Sequence, residues 1–291
     1  MAACSTSDWR RLNQANWDER TGVHLAPGGY DLSAVRAGRG RLDAIVAAEI
    51  GDVTGLAILH LQCHLGDDSI ALAQRGAARV LGVDFSPPAL DAARSLAAEC
   101  GAANVDFVLG DVQQVPAMIP AEAGTFDLVF TSWGTISWLP YLDGWAAGIA
   151  FALKPGGAFY FADMHPVAWV FDDEGPAAPG FPAWRYPYFE PGPIAFDNPA
   201  DYMNTEAVLT NRQTIEFPHS IAAILGALRG AGLWLDWLHE HPRMAWKQFA
   251  GQVQDQDGMW TWPDRPWLPL GLSLRAVRPS PERAGASISA P

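Results

Sequence analysis

The residues of this chain best suited to chemistry fall at four places: Gln62–Ser69 ("QCHLGDDS"), Asp84 in "LGVDFS", Asp111 in "VLGDV", and residues 130–134, "FTSWG". Each follows a short apolar run. A polar turn between a strand and a helix offers backbone amides and a helix start, which together hold a group such as a carboxylate. Asp84 follows Gly66 by eighteen residues, where an acidic side chain can accept both hydroxyls of a ribose. Asp111 is placed to accept from an exocyclic amine such as that of adenine. The "FTSWG" segment is where the reactive end of such a ligand belongs. An Asp closing a strand is often only a helix cap, and a lone glycine after a strand is commonly only a turn. The order and spacing of the four carry the reading.

Other chemistries fit the same loop less well. Cys63, His64 and His60 suggest a metal, but adjacent side chains converge poorly on one ion and no CxxC or HxxxH partner occurs nearby. No metal is expected. Cys63 reads as a small buried thiol rather than a nucleophile. A nicotinamide dinucleotide would call for G-x-G-x-x-G, and here Gln62 and His64 stand at the first two glycine positions. The side chains of Gln62 and His64 are expected to point away from the ligand while their backbone serves it.

The elements that must position these residues alternate. "RLDAIVAAEIG" has helical spacing and stops at Gly51, "LAILHL" is a strand, and "DDSIALAQRG" is a helix closed by Gly76. "RVLGVDF" is a second strand; "SPPALDAARSLAAECG" is a helix with a Ser86 cap and prolines in its first turn. "VDFVLGD" and "FDLVFTSW" are further strands, "WAAGIAFALKPGG" is a helix ending in a turn, and "AFYFADMHP" is a fifth strand. Alternating βα units with apolar strands predict an α/β fold with a parallel, Rossmann-like sheet covered on both faces. "HSIAAILGALRGAG", "LWLDWLHE" and "LPLGLSLRAVR" add a helix and two strands.

The expected organisation is an N-terminal helical cap over the ligand site (1–40) and a binding core (41–165). A substrate lid (166–218), the C-terminal part of the sheet (219–278) and a flexible tail (279–291) follow. Residues 166–204 hold eight prolines among many aromatics; a loop of this length in a compact domain is usually a lid or binding surface.

The 291 residues carry a formal charge of −13, from 19 basic and 32 acidic residues. No Lys/Arg stripe reverses that field, so a nucleic-acid partner is not expected. No apolar run approaches the roughly 20 residues needed to cross a bilayer, and the first residues lack the order of a secretory signal. With three scattered cysteines, a cytoplasmic monomer or homodimer without disulfides is the expectation.

Taken together, "LHLQCHLGDDSIALA…VLGVDFS…FVLGDV…FDLVFTSWG…LKPGGAFYFAD" resembles a class I S-adenosylmethionine-dependent methyltransferase over roughly residues 55–165. "NWDER…H…YD" and "LPLGLSLRAVRP" extend the resemblance to a bacterial small-molecule subfamily with an "LHLQCHxG" loop. It implies a seven-stranded sheet, the last strand antiparallel, with S-adenosylmethionine (leaving as S-adenosylhomocysteine) across the first two strands. By the same resemblance the Gln62–Gly66 loop, with Cys63, would approach the methionine part, and His60, Ser69 and Phe85 belong to the cofactor-binding set. Asp84 would meet the ribose, Asp111 and Val112 the adenine, and Thr131 and Ser132 the amino group. Tyr30, with Trp17 or His24, would close over the cofactor. His60 stands where the wider family commonly has an acid.

The implied activity is in-line methyl transfer to a small aromatic or apolar metabolite. The alternative is an S-adenosylmethionine-binding protein of this fold with another reaction or a regulatory role. A weakly acidic acceptor needs a base. His165 in "DMHP" and His219 in "EFPHSI" are the candidates, ahead of Glu190 and Asp163. A turn-bonding role for His165 and a packing role for His219 are the alternatives to weigh. Trp133, Trp138, Tyr141, Trp184 and Tyr188 are the expected walls of the substrate pocket.

Overall fold

The computed structural model describes residues 8–173, 182–264 and 268–280. Among these the strands are β1 (Ala57–Leu61), β2 (Arg79–Asp84), β3 (Val105–Leu109), β4 (Phe126–Ser132), β5 (Leu153–Met164) and β6 (Ile194–Asp197). There follow β7 (Gln213–Glu216), β8 (Trp234–His241), β9 (Arg243–Met244), β10 (Val253–Gln254), β11 (Trp260–Thr261) and β12 (Gly271–Val277). The helices are α1 (Trp9–Leu25), α2 (Ser33–Arg36), α3 (Ala44–Glu49), α4 (Asp67–Gln74), α5 (Pro87–Glu99), α6 (Val115–Met118), α7 (Asp143–Ala152) and α8 (Ile221–Gly230).

Seven strands form one sheet in the order β3-β2-β1-β4-β5-β12-β8. Strands β1 to β5 pair in parallel, whereas β12 runs antiparallel to both its neighbours. The expected Rossmann-like sheet with an antiparallel last strand is what the chain forms. Side chains alternate between its two faces. Leu59, Leu61, Leu81, Val83, Phe159 and Phe161 enter one core, with Trp145 and Ile149 of α7 packed on them. Ile58, Val80, Phe130 and Tyr160 enter the other, against Ile70 of α4 and Leu90 of α5. Burial on both faces explains why these strands read as continuous apolar runs rather than alternating ones.

Local chemistry sets the helix starts. Ser86 accepts from the Ala89 amide, with proline in the first turn of α5, and Asp43 accepts from Ile45 and Val46 at the start of α3. Helix α1 lies over this edge: Ser86 also donates to Asp18 at 2.6 Å, and Gln14 donates to the Phe85 carbonyl. Two small sheets add to the core, a β6–β7 hairpin and an antiparallel set β10-β11-β9.

Three expectations need correction. The "LKPGG" segment is not a free turn, because β5 starts at Leu153 and pairs it with Phe126, with a register shift before Leu128. The 166–218 segment is not loop alone, since it contains the hairpin. The stretch between β8 and β12, for which no strand was expected before "LPLGL", holds the three-stranded set. Most of the expected tail, as well as residues 174–181 and Cys4, lies outside the described residues.

Candidate functional site

The sheet order reverses between β2-β1 and β4, and the site lies at the carboxyl ends of these strands, as open α/β sheets dictate. After Leu61 the chain turns through Gln62 and His64, both left-handed at φ 56° and 47°, and Gly66 at 71° leads into α4. Two non-glycine residues in this region cost about 1 kcal/mol or more each, so the surroundings must hold them. Cys63 donates its amide to the Val83 carbonyl at 3.0 Å, and Gly66 to the Cys63 carbonyl at 2.8 Å. The His64 amide donates to Asp84 Oδ2 at 2.9 Å, while Asp84 Oδ1 accepts from the Ser86 amide. Burial pushes the Asp84 carboxyl up to about 6, against these amide bonds.

The loop opens onto a cavity of about 760 Å³. Tyr30, His60, Gln62, Cys63, His64, Ser132, Trp133, Trp138 and Asp163 line it, joined by Trp17 and Arg20 of α1. A second chamber of about 210 Å³ is lined by Trp9, Arg10, Phe85, Asp111 and Val112, among others. Gln62 and Trp138 line both and stand at their junction. Gln62 Nε2 donates to the Thr135 carbonyl at 2.8 Å, while its buried Oε1 has no partner among the described residues. In the small chamber Asp111 is ion-paired with Arg10 and accepts from the Gln113 amide.

The leader is tied to the loop through imidazoles. His24 Nδ1 and His64 Nε2 lie 2.7 Å apart, and His24 Nε2 faces Asp201 Oδ2 at 3.0 Å. Arg20 completes the group, 2.8 Å from the same oxygen. With Nε2 of His24 donating to Asp201, its Nδ1 is left to accept from His64 Nε2. Burial, helped by His24, holds His64 down at about 3, so it is uncharged at neutral pH. His60 is likewise held at about 3 by burial, bonded to Ser69 at 2.8 Å.

Of the carboxylates on the large cavity, two sets stand out. Asp67 and Asp68 start α4 beside Ser132, whose hydroxyl donates to Asp68 at 3.2 Å. Burial raises both, and the neighbouring Asp67 and Asp43 push Asp68 further up; a cation placed between them would favour their ionised forms. Glu216, at the end of β7, accepts from Ser137 Oγ at 3.0 Å and is pushed up to about 7 by burial.

Several expectations about individual residues are not met by this geometry. Gln62 and His64, both left-handed, line the cavity, and their side chains are engaged there, Gln62 with the Thr135 carbonyl and His64 with His24. Gly66, Ser69, Asp84 and Thr131 lie behind the surface, where they shape the loop and its backing. His165 does not reach the cavity. Its Nδ1 accepts from the Val167 amide at 3.1 Å, leaving Nε2 to donate to Glu240 at 2.9 Å, and burial lowers its pKa despite Glu240. With both nitrogens engaged it caps a turn. His219 donates Nε2 to the Leu139 carbonyl at 2.7 Å and lies outside both chambers. Tyr141 and Trp184 are 73% and 75% exposed, Glu190 is exposed, and Tyr188 accepts from the Ile221 amide. None of these four lines either chamber. Asp163, though on the cavity, is committed to the amides of Gly134, Thr135 and Ile136.

Sequence reading missed Glu216, Asp201 and the Trp246–Gln248 wall, none of which carries a local signal. The tandem acids of "GDDS" were visible, yet their approach to Ser132 was not. Among the described residues no group of three or more His, Cys, Asp or Glu is arranged to hold a metal, and no helix is long and apolar enough to cross a membrane.

Comparison with known proteins agrees with this architecture. Residues 58–157 match a family model described as a methyltransferase domain. The demethylmenaquinone methyltransferase of Lactococcus lactis is 34% identical over 110 residues, 37% of this chain and 42% of that protein. An uncharacterized methyltransferase of Synechocystis is 35% identical over 119 residues, 40% of this chain and 51% of that one. The chain thus spans about half the length of these curated relatives. Two solved structures share the fold. An S-adenosylmethionine-dependent methyltransferase from Mesorhizobium loti superposes with a TM-score of 0.57 at 20% identity, covering 80% of this chain and 96% of that one. One from Methanosarcina mazei gives 0.51 at 14%, covering 82% and 99%. Over residues 58–157 the chain thus matches a methyltransferase-domain model, and around that stretch it shares the fold of these solved structures.

Proposed function

We propose that the protein is an S-adenosylmethionine-dependent methyltransferase acting on a small metabolite with an aromatic or apolar body. The observation that carries this reading is the pair of chambers meeting at Gln62 and Trp138, on the carboxyl edge of β1 and β4. The small chamber, with Asp111, Val112 and Phe85, suits an adenine. The junction suits the ribose and sulfonium, with Asp67, Asp68 and Ser132 beside the amino-acid end. The residues fit such a group: Gln62 Oε1 is a buried acceptor still lacking a donor, and the carboxylates suit a ligand carrying positive charge. Tyr30, Trp17 and His64 close the leader side. Helix α1 is the cap and the segment from 166 the acceptor side of this reading.

When bound, S-adenosylmethionine supplies a methyl group already activated by its sulfonium. The protein then has to orient the acceptor in line and exclude water. Trp133, Trp138, Trp169 and Phe196 wall the large cavity, and aromatic faces there can stabilise positive charge. Calorimetric titration with S-adenosylhomocysteine tests the reading. Saturable binding to one site is expected, and the absence of heat at millimolar ligand would sink it.

A further inference from the structure

The acceptor side of the large cavity sets aromatic and apolar walls beside polar side chains such as Thr214, Asn198 and Gln248. Ile136, Met164, Trp169, Phe196 and Trp246 line it together with Glu216. Glu216 Oε2 is held by the Ser137 hydroxyl, and no described residue bonds its Oε1. No ion pair joins Glu216 to a cation among the described residues, although Arg20 and Lys247 line the same cavity. Arg20 is committed to Asp201 and Asn16, and Lys247 is exposed, over the Trp260 ring. Asp163 and Asp173 add negative field at Glu216, partly offset by Arg20.

We propose that the methyl acceptor is an amine with an aromatic or apolar body and that Glu216 is the carboxylate that binds its nitrogen; this rests on the methyltransferase reading. An ammonium at Glu216 gains a charge-assisted hydrogen bond among aromatic walls that favour cations. A carboxylate or phenolate in the same place would meet like charge in a low-dielectric wall. In the transfer, Glu216 Oε1 takes one proton from the ammonium. The freed nitrogen pair forms the bond to the methyl carbon as the methyl–sulfur bond breaks, its electrons passing to sulfur, which becomes a neutral thioether. The proton on Glu216 then leaves to solvent.

The test uses three probes of one shape: phenethylamine, phenethyl alcohol and hydrocinnamate, titrated at pH 8 into the full chain saturated with S-adenosylhomocysteine. The amine is expected to bind at least about tenfold tighter than the alcohol, with the carboxylate weakest. Glu216→Gln is expected to erase the preference for the amine while keeping S-adenosylhomocysteine affinity. Equal or tighter binding of the alcohol or the carboxylate overturns the proposal, as does an undiminished preference in Glu216→Gln. If that variant does not fold, the order of the three probes on the wild-type protein decides alone. Failure of S-adenosylhomocysteine to bind would instead overturn the methyltransferase reading, and the same probes on the ligand-free protein still read the amine preference.

Discussion

His64 Nε2 and His24 Nδ1 lie 2.7 Å apart, so the loop after β1 and the leader helix α1 are joined by one hydrogen bond between imidazoles. Asp201 stands behind this pair, its side chain fully buried, accepting from His24 and Arg20 and from the amides of Met203 and Asn204. Loop, leader and the segment beyond residue 166 therefore share one polar knot. Replacing Asp201 by Asn leaves Arg20 without its counter-charge and His24 without its carboxylate acceptor, and breaking a buried ion pair costs on the order of 3–5 kcal/mol. Urea denaturation is expected to show that loss, with S-adenosylhomocysteine affinity reduced because His64 loses its backing. A variant as stable as the parent would show that the knot holds nothing.

Glu216 makes a prediction of opposite sign. Burial raises its carboxyl from 4.5 to about 7, while Ser137 and Arg20 work against burial and Asp173 and Asp163 work with it. A carboxyl with a raised folded pKa contributes stability that is present below the unfolded value and lost as pH rises through the folded one. Glu216→Gln is therefore expected to be more stable than the parent at pH 8, by on the order of 1–3 kcal/mol, and no more stable at pH 4. Melting curves at the two pH values check it; a pH-independent difference contradicts the assignment.

Gly66 cannot carry a side chain. Its φ of 71° is left-handed, and a Cβ would come within 2.6 Å of Phe107 and 2.9 Å of Ala93. Gly66→Ala combines an unfavourable backbone of about 1 kcal/mol or more with that crowding. A drop in melting temperature together with weakened S-adenosylhomocysteine binding is expected. Loss of stability alone, with affinity intact, would show that the loop shape does not matter to the ligand.

For His165 the structure gives a cap and no free nitrogen. His165→Ala should lower stability by about 1 kcal/mol, measured in urea. Binding of S-adenosylhomocysteine and of phenethylamine should stay unchanged. A tenfold or larger loss of either affinity would return His165 to the site.

Much of this architecture was legible in the residues. Strands β1, β2, β4 and β5 stand out because both their faces are largely buried, whereas edge strand β3 exposes Asp106 and Leu109; Ser86 with its prolines marks the start of α5. The small sheets were invisible for a physical reason. Arg243–Met244, Val253–Gln254 and Trp260–Thr261 are two residues each, too short for any periodicity to show. The loop residues were found, but the left-handed backbone at Gln62 and His64 was not, because it has no signature in non-glycine residue types. Tyr141 and Trp184 show the limit of composition, since an aromatic residue reads the same whether it walls a cavity or faces water. Glu216 and Asp201 gain their meaning only from what surrounds them after folding.

The most direct measurement is a calorimetric titration of the protein with S-adenosylhomocysteine, repeated on Gln62→Ala. The chambers meeting at Gln62 predict one saturable site in the parent and an affinity at least about tenfold weaker in the variant, the worth of one buried hydrogen bond. No heat at millimolar ligand, or equal affinities in both proteins, would contradict a cofactor lying across that junction.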